Sequence, residues 1–131
     1  DFVGIEKVDF MINSFEYSRE KKWENYCQLN VNHVDQYYLD NANQLNAIAW
    51  KFFEVTEDKK QLDKALSWAK RASELEPTSH AILDTYANLL YKTGNLNLAL
   101  EVEESAFEKA SANGEDVKSY QALIDKIKGE L

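Results

Sequence analysis

The sequence predicts an all-α chain of about seven helices, folded as antiparallel hairpins. Three observations predict it. One proline and four glycines in 131 residues leave little material for turns, which disfavours a many-stranded sheet. The stretch LDTYANLLYKTGNLNLAL, Leu83 to Leu100, reads as a helix, a glycine stop and a second helix almost at once. The same plan recurs one hairpin earlier, beginning with LNAIAWKFFEV from Leu45 to Val55.

Each element has its own signal. A first helix, about Gly4 to Tyr17, carries Ile5, Val8, Ile12 and Phe15 as its apolar positions. A second, about Lys21 to Tyr38, shows Trp23, Tyr26, Val34, Tyr37 and Tyr38 at helical spacing. The third has Leu45, Ile48, Ala49 and Phe52 on one face, and TEDKKQ (Thr56 to Gln61) connects it to a fourth with Leu62, Ala65, Ala69 and Ala72. Pro77 keeps the fourth helix from running on. The fifth spans Ser79 to Thr93 with Thr78 or Ser79 as its cap, and Leu83, Tyr86, Ala87 and Leu90 form its stripe. Gly94 suits the position that needs positive φ, and Asn95 is placed to cap the sixth helix. That helix turns Leu96, Ala99, Leu100, Val102, Ala106 and Phe107 inward and ends near Asn113–Gly114. A seventh, within EDVKSYQALIDKIKG, carries Val117, Tyr120 and Ile124.

Composition narrows function. Fifteen basic against 23 acidic residues give a net charge of −8, and no basic run exceeds the pairs Lys21–Lys22, Lys59–Lys60 and Lys70–Arg71. Phosphate backbones and anionic membranes repel such a chain, so no nucleic-acid partner is expected. No stretch approaches the ~20 apolar residues of a membrane span, so no membrane insertion is expected. The single Cys27 cannot form an internal disulfide. The first residue is Asp1 and no signal peptide is recognisable, which suggests a mature or excised fragment.

Laying Leu45–Val55 over Leu83–Thr93 aligns Leu45 with Leu83, Ile48 with Tyr86, Ala49 with Ala87 and Phe52 with Leu90. In the second helices, Leu62, Ala65, Ala69 and Ala72 align with Leu96, Ala99, Glu103 and Ala106. Ala65 and Ala99 are 34 residues apart, while Ala49 and Ala87 are 38 apart because TEDKKQ replaces the two-residue turn GN. In this spacing, and in the small residues Ala49, Ala87, Ala65, Ala99, Ala72 and Ala106 with Pro77 at the end, the sequence resembles the tetratricopeptide repeat (TPR) over Leu45 to Ala106. It departs from that pattern in having leucine for the usual tryptophan, alanine for glycine, Glu103 at a position that is normally apolar, and Ser111 where proline is usual.

The resemblance implies a right-handed α-α superhelix in one domain over residues 1–131. A degenerate hairpin would span 1–40, repeats 41–78 and 79–113, and a capping helix 114–131. It places Cys27, Val31 and Val34 at inward sites. It also implies a concave face formed by first helices that holds a peptide or partner protein. Its outward positions are Asn43, Asn46, Trp50, Phe53 and Glu54 in one repeat and Ala81, Asp84, Asn88, Tyr91 and Lys92 in the next. Asn46, Trp50, Phe53, Asp84, Asn88, Tyr91 and Lys92 are the candidate binding residues. Asparagine can both donate to and accept from a peptide backbone, and tryptophan and tyrosine are favoured anchors. Trp50, Phe53 and Tyr91 could equally fill a gap toward the N-terminal helices. Asp84 and Asn46 stand where a carboxylate clamp needs cations, so a neutral or basic partner is expected.

Catalytic and metal chemistry find little support. Cys27 and His33 lack an orienting third group, and Cys27 reads as a packing residue. His33 with Asp35, and His80 with Asp84, supply two ligands each where a metal site needs more, and His80 reads as a surface residue at a helix start. Glu101, Glu103 and Glu104 read as a solvated face. No phosphate loop or nucleophile elbow is present, so neither a cofactor nor an enzyme is expected. A second resemblance bears on context. The inserted turn, NQLNAIAW and the alanine-rich second helix are similar to tails that follow thioredoxin-like domains in some bacterial proteins. That implies an accessory extension of a larger enzyme, in bacterial cytoplasm or periplasm. Self-association is a third option.

Overall fold

Side-chain caps and left-handed stops cut the chain into seven helices. The structure, a computed structural model, describes residues 2–131, apart from the side chains of Phe2, Val3 and Ile5. The helices are α1 (Phe2–Arg19), α2 (Trp23–Tyr37), α3 (Ala42–Val55), α4 (Lys59–Leu75), α5 (His80–Lys92), α6 (Leu96–Ala112) and α7 (Lys118–Glu130). Asn41, Asp58 and Ser79 accept from the backbone N–H three residues on, and so start α3, α4 and α5. Asn95 does not cap α6 as expected: its side-chain amide donates to Thr93 Oγ1 at 3.0 Å.

Gly94 has φ +88, as its stop role requires. Its N–H donates to Tyr91 O and that of Asn95 to Leu90 O, the paired closure of a Schellman motif. The same pair of bonds closes α6 around Gly114 and α1 around Lys21. Lys21 carries φ +57 with a full side chain, so nothing in its residue type announced that stop.

Alanines set the distance between helices. Ala49, Ala65, Ala69, Ala72, Ala87, Ala99 and Ala106 are all fully buried. Backbones can approach there, and the large side chains fill the adjoining holes. An aromatic chain fills the N-terminal side. Trp23 meets Tyr26 edge-on, Tyr26 meets Phe52, and Phe52 meets Trp68 at 5.1 Å. Trp68 is the largest fully buried side chain, and its indole N–H donates to Asp35 Oδ1 at 2.7 Å, tying α4 to α2. Burial pushes the Asp35 carboxyl up. Hydrogen bonds from Lys64 and Trp68 outweigh that and hold it below its ordinary range.

α3 touches α5, and α5 touches α7, so the first helices of successive hairpins form one row. α1 does not join that row. Among the described residues it packs on α2 alone. Its buried side is not the expected one. Val8, Ile12 and Phe15 are 51%, 54% and 66% exposed, whereas Phe10 is buried among His33, Tyr37 and Tyr38 at 5.3 to 5.8 Å. One ring stacked on Tyr37 and tilted against His33 and Tyr38 outweighs the aliphatic stripe. The expected inward role of Ile5 lies outside the described residues. A crevice of about 420 Å³ separates α1 from α3, lined by Phe10, Met11, Phe15, Tyr26, Asn30 and Ile48 among others.

Lys21→Gly should stabilise the protein by up to about 1 kcal/mol, since glycine takes a left-handed backbone without steric cost. Urea unfolding of the two proteins measures the gain, and an unchanged midpoint would count against strain at this turn.

Candidate functional site

The row α3–α5–α7 carries all the sequence-predicted binding residues on α3 and α5, but the structure divides them into groups. Asn46, Trp50 and Asp84 line a recess of about 290 Å³ together with Ala47, Ala81, Thr85 and Tyr120. Trp50 is half-buried, and its ring stacks on Phe53 one turn along, with centroids 4.9 Å apart. Neither Trp50 nor Phe53 nor Tyr91 lines the crevice toward α1. Asn88 lies behind the recess wall, donating to the Asp84 carbonyl at 2.8 Å and to Asp84 Oδ1 at 3.1 Å.

Lys92 is committed elsewhere. Its ammonium donates to Phe53 O at 2.6 Å and Thr56 O at 3.0 Å, pairs with Glu57 at 3.0 Å, and lies over the Phe53 ring. A cation here neutralises the free carbonyls at the end of α3 and holds the glycine-free turn in place; that turn is Thr56–Asp58 and not all of TEDKKQ, because the Asp58 cap starts α4 at Lys59. From the turn, Thr56 Oγ1 donates to Gln61 Oε1 in the first turn of α4 at 2.5 Å. Tyr91 reaches α7, where its hydroxyl donates to Glu130 Oε1 at 3.0 Å and Lys126 lies over its ring. The Glu130 hydrogen bond holds the Tyr91 hydroxyl above its ordinary pKa.

No family model matches the sequence, and no curated protein matches it. Among solved structures the chain is similar to the TPR2B domain of yeast Sti1, solved in complex with pHsp70. The identity is 16% and the TM-score 0.71, and the match covers 97% of this chain and 99% of that one. The chain has a TPR-like fold. The seven helices run through that match in the order α1 to α7.

The TPR-like frame also exposes a residue misplaced by sequence reasoning. Glu101 and Glu104 are solvent-exposed as expected, but Glu103 is completely buried, which corrects its assignment to a solvated face. The repeat alignment already put it at an apolar position, and that inward register outweighs its charge. Neither carboxyl oxygen of Glu103 has a donor among the described residues, and the Asp84 side chain lies within hydrogen-bonding reach. Two carboxyl groups can share such a bond only if one keeps its proton. Burial, and then Asp84, push the Glu103 pKa far up, which favours the neutral carboxylic acid.

Two further side chains of the site came from outside the predicted set. Tyr120 of α7 closes the recess, and its hydroxyl bonds His80 Nδ1 at 2.7 Å. His80 is therefore partnered and half-buried rather than simply on the surface. Burial and then the nearby Asp84, Glu103 and Glu115 push the Tyr120 hydroxyl up to about 12. Cys27 is buried at the small-residue site expected for it, and burial pushes its thiol up to about 12, so the nucleophilic thiolate is suppressed. Among the described residues no three His, Cys, Asp or Glu side chains converge as metal ligands, and no helix is long and apolar enough to cross a membrane.

Unfolded, Glu103 ionises near the ordinary glutamate value of about 4.3. Folded, it keeps its proton well above that. The native state therefore holds one more proton across this window. Its stability is complete below the unfolded pKa and is lost as pH rises toward the folded value. Glu103→Gln, which keeps a donor for Asp84, should gain about 1–3 kcal/mol over the native protein at pH 7.5 and almost nothing at pH 4. Urea melts at the two pH values test this, and equal differences at both would contradict a neutral Glu103.

Proposed function

We propose that this chain is a non-catalytic protein-interaction module that binds a peptide or partner protein on the face formed by α3, α5 and α7. The observation that carries the reading is the recess on that face, where a half-buried tryptophan, an acidic side chain and an amide converge between three helices. Asn46, Trp50, Phe53, Asp84, Asn88, Tyr91 and Lys92 are its proposed contact residues, with Lys92 acting through the end of α3. The likeness to a domain solved with pHsp70 supports a protein ligand in kind. An acidic chain terminus fits poorly, because Asp84 faces the recess and Lys92 is already paired. A neutral or basic partner fits better. The module is proposed as one domain over 1–131, with hairpin, repeats and cap divided at about residues 40, 78 and 113.

Trp50→Ala combined with Asn88→Ala should keep the helical circular dichroism of the native chain. Proteins captured from the native source by the unaltered module should fall at least tenfold by quantitative mass spectrometry. If the double variant unfolds, Trp50 belongs to the core and the assignment of this face fails.

A second reading has its own observation. α1 turns Val8, Met11, Ile12 and Phe15 to solvent, all about half exposed or more, at the i, i+3, i+4, i+7 spacing of one face. Such a stripe suits packing against another domain, as in an accessory extension of a larger protein, or against a second copy. Light scattering across concentration separates the two: a mass that doubles, and is restored to monomer by Phe15→Glu, supports self-association, and a monomer throughout removes it.

A further inference from the structure

The recess between α3, α5 and α7 presents acceptors and π surface and no cation. Asp84 contributes a carboxylate, Asn46 an amide and Trp50 an indole, and no lysine or arginine is among the described residues that line it. The lysines of these helices near the site are engaged: Lys51 pairs with Glu54, Lys92 with Glu57 and two carbonyls, and Lys126 lies over Tyr91. Two polar groups are left short of donors. Asn46 Oδ1 is buried without a partner among the described residues. Behind Asp84, Glu103 is completely buried and directed at the same carboxylate, and neither of its oxygens receives a donor.

We propose that this recess binds a basic side chain, arginine or lysine, presented by the partner protein, with Asp84 as its counter-ion and Trp50 as the surface on which it lies. The assignment rests on the reading of this face as the interaction surface and specifies what that face selects. Asp84 is the carboxylate among the described lining residues, and Glu103 behind it is pushed toward its neutral form by burial. A cation placed there forms a charge-assisted hydrogen bond that water cannot match in that setting. A turn of the half-buried Asn46 side chain brings Oδ1, which lacks a donor, to its remaining N–H groups. The methylene stem of a basic side chain lies along the indole and its charge sits on the π face. An apolar side chain would cover the Asp84 carboxylate with no cation and only Asn88 as its donor, and an acidic one would meet Asp84 with like charge.

The test uses the full chain, 15N-labelled, titrated with the blocked peptide acetyl-Gly-Ser-Arg-Ser-Gly-amide and with the same peptide carrying the neutral isostere citrulline. Expected are saturable shifts at the Trp50 indole and the Ala47 and Asp84 amides with arginine, and at least tenfold weaker binding with citrulline. Asp84→Asn should lose at least tenfold in affinity for the arginine peptide. Asn46→Ala should lose several-fold and serves as the second variant if Asp84→Asn does not fold. Equal binding of the two peptides, no shifts at the recess, or full affinity in the folded variants overturns the proposal. A partner that depends on Trp50 and Asn88 but binds equally well to Asp84→Asn would overturn the basic-side-chain assignment alone and leave the interaction face standing.

Discussion

Close approach of helix backbones at alanine is the constraint on which this fold depends. Eight alanines across α3 to α6 are fully buried, and there helix backbones can come close. A larger residue at any of them would push the helices apart and open the holes that Leu45, Phe52, Trp68 and Leu89 fill. The turns are less constrained. One hairpin reverses through Thr93–Asn95 with Gly94 in a Schellman closure, and the other through Thr56–Asp58 without glycine, held by Lys92 and by a cap at Asp58. The array tolerates either because the packing of the alanines, not the turn, sets the hairpin geometry.

Polar groups inside the array work by a different rule. Trp68 and Asp35 join α4 to α2, Lys92 joins α5 to the end of α3, and Tyr120 with His80 joins α7 to α5. Each links elements that the apolar layer already brings together, so it selects one register among the several that apolar contact alone would permit. Glu103 breaks this pattern. It is buried with its oxygens short of donors, and keeping its proton is the cheapest way for the fold to hold it.

Much of the architecture was legible from the chain. Ala65 and Ala99 are both fully buried and Gly94 has the positive φ expected of it, while of the α5 stripe Ala87 and Leu90 are buried and Leu83 and Tyr86 are half-buried. The losses have physical reasons. The break after α1 was legible from the apolar spacing on either side, but its left-handed residue was not, because Lys21 takes a conformation its residue type disfavours. The face of α1 was misread because aliphatic periodicity favoured Val8, Ile12 and Phe15, while Phe10 had three aromatic neighbours, His33 and Tyr37 on α2 and Tyr38 just past its end, that no local pattern reveals. In the site, Asn46, Trp50 and Asp84 were legible as residues off the apolar stripe, and they share one recess. Tyr120 could not be connected to them without knowing that α7 packs on α5. Glu103 needed the repeat frame to overrule its charge.

The crevice between α1 and α3 has a mechanical consequence. In a stacked array, stiffness comes from each element leaning on neighbours before and behind it. α5 leans on α3, α4, α6 and α7, whereas α1 has α2 as its single support among the described residues. Resistance to deformation should therefore rise from the N-terminal end inward, with α1 free to swing on its hairpin like a hinged flap while the recess-bearing helices hold their spacing. A ligand seated between α3, α5 and α7 meets a rigid mould. Anything that engages the outer stripe of α1 meets a compliant one and can change the width of the crevice without disturbing that mould.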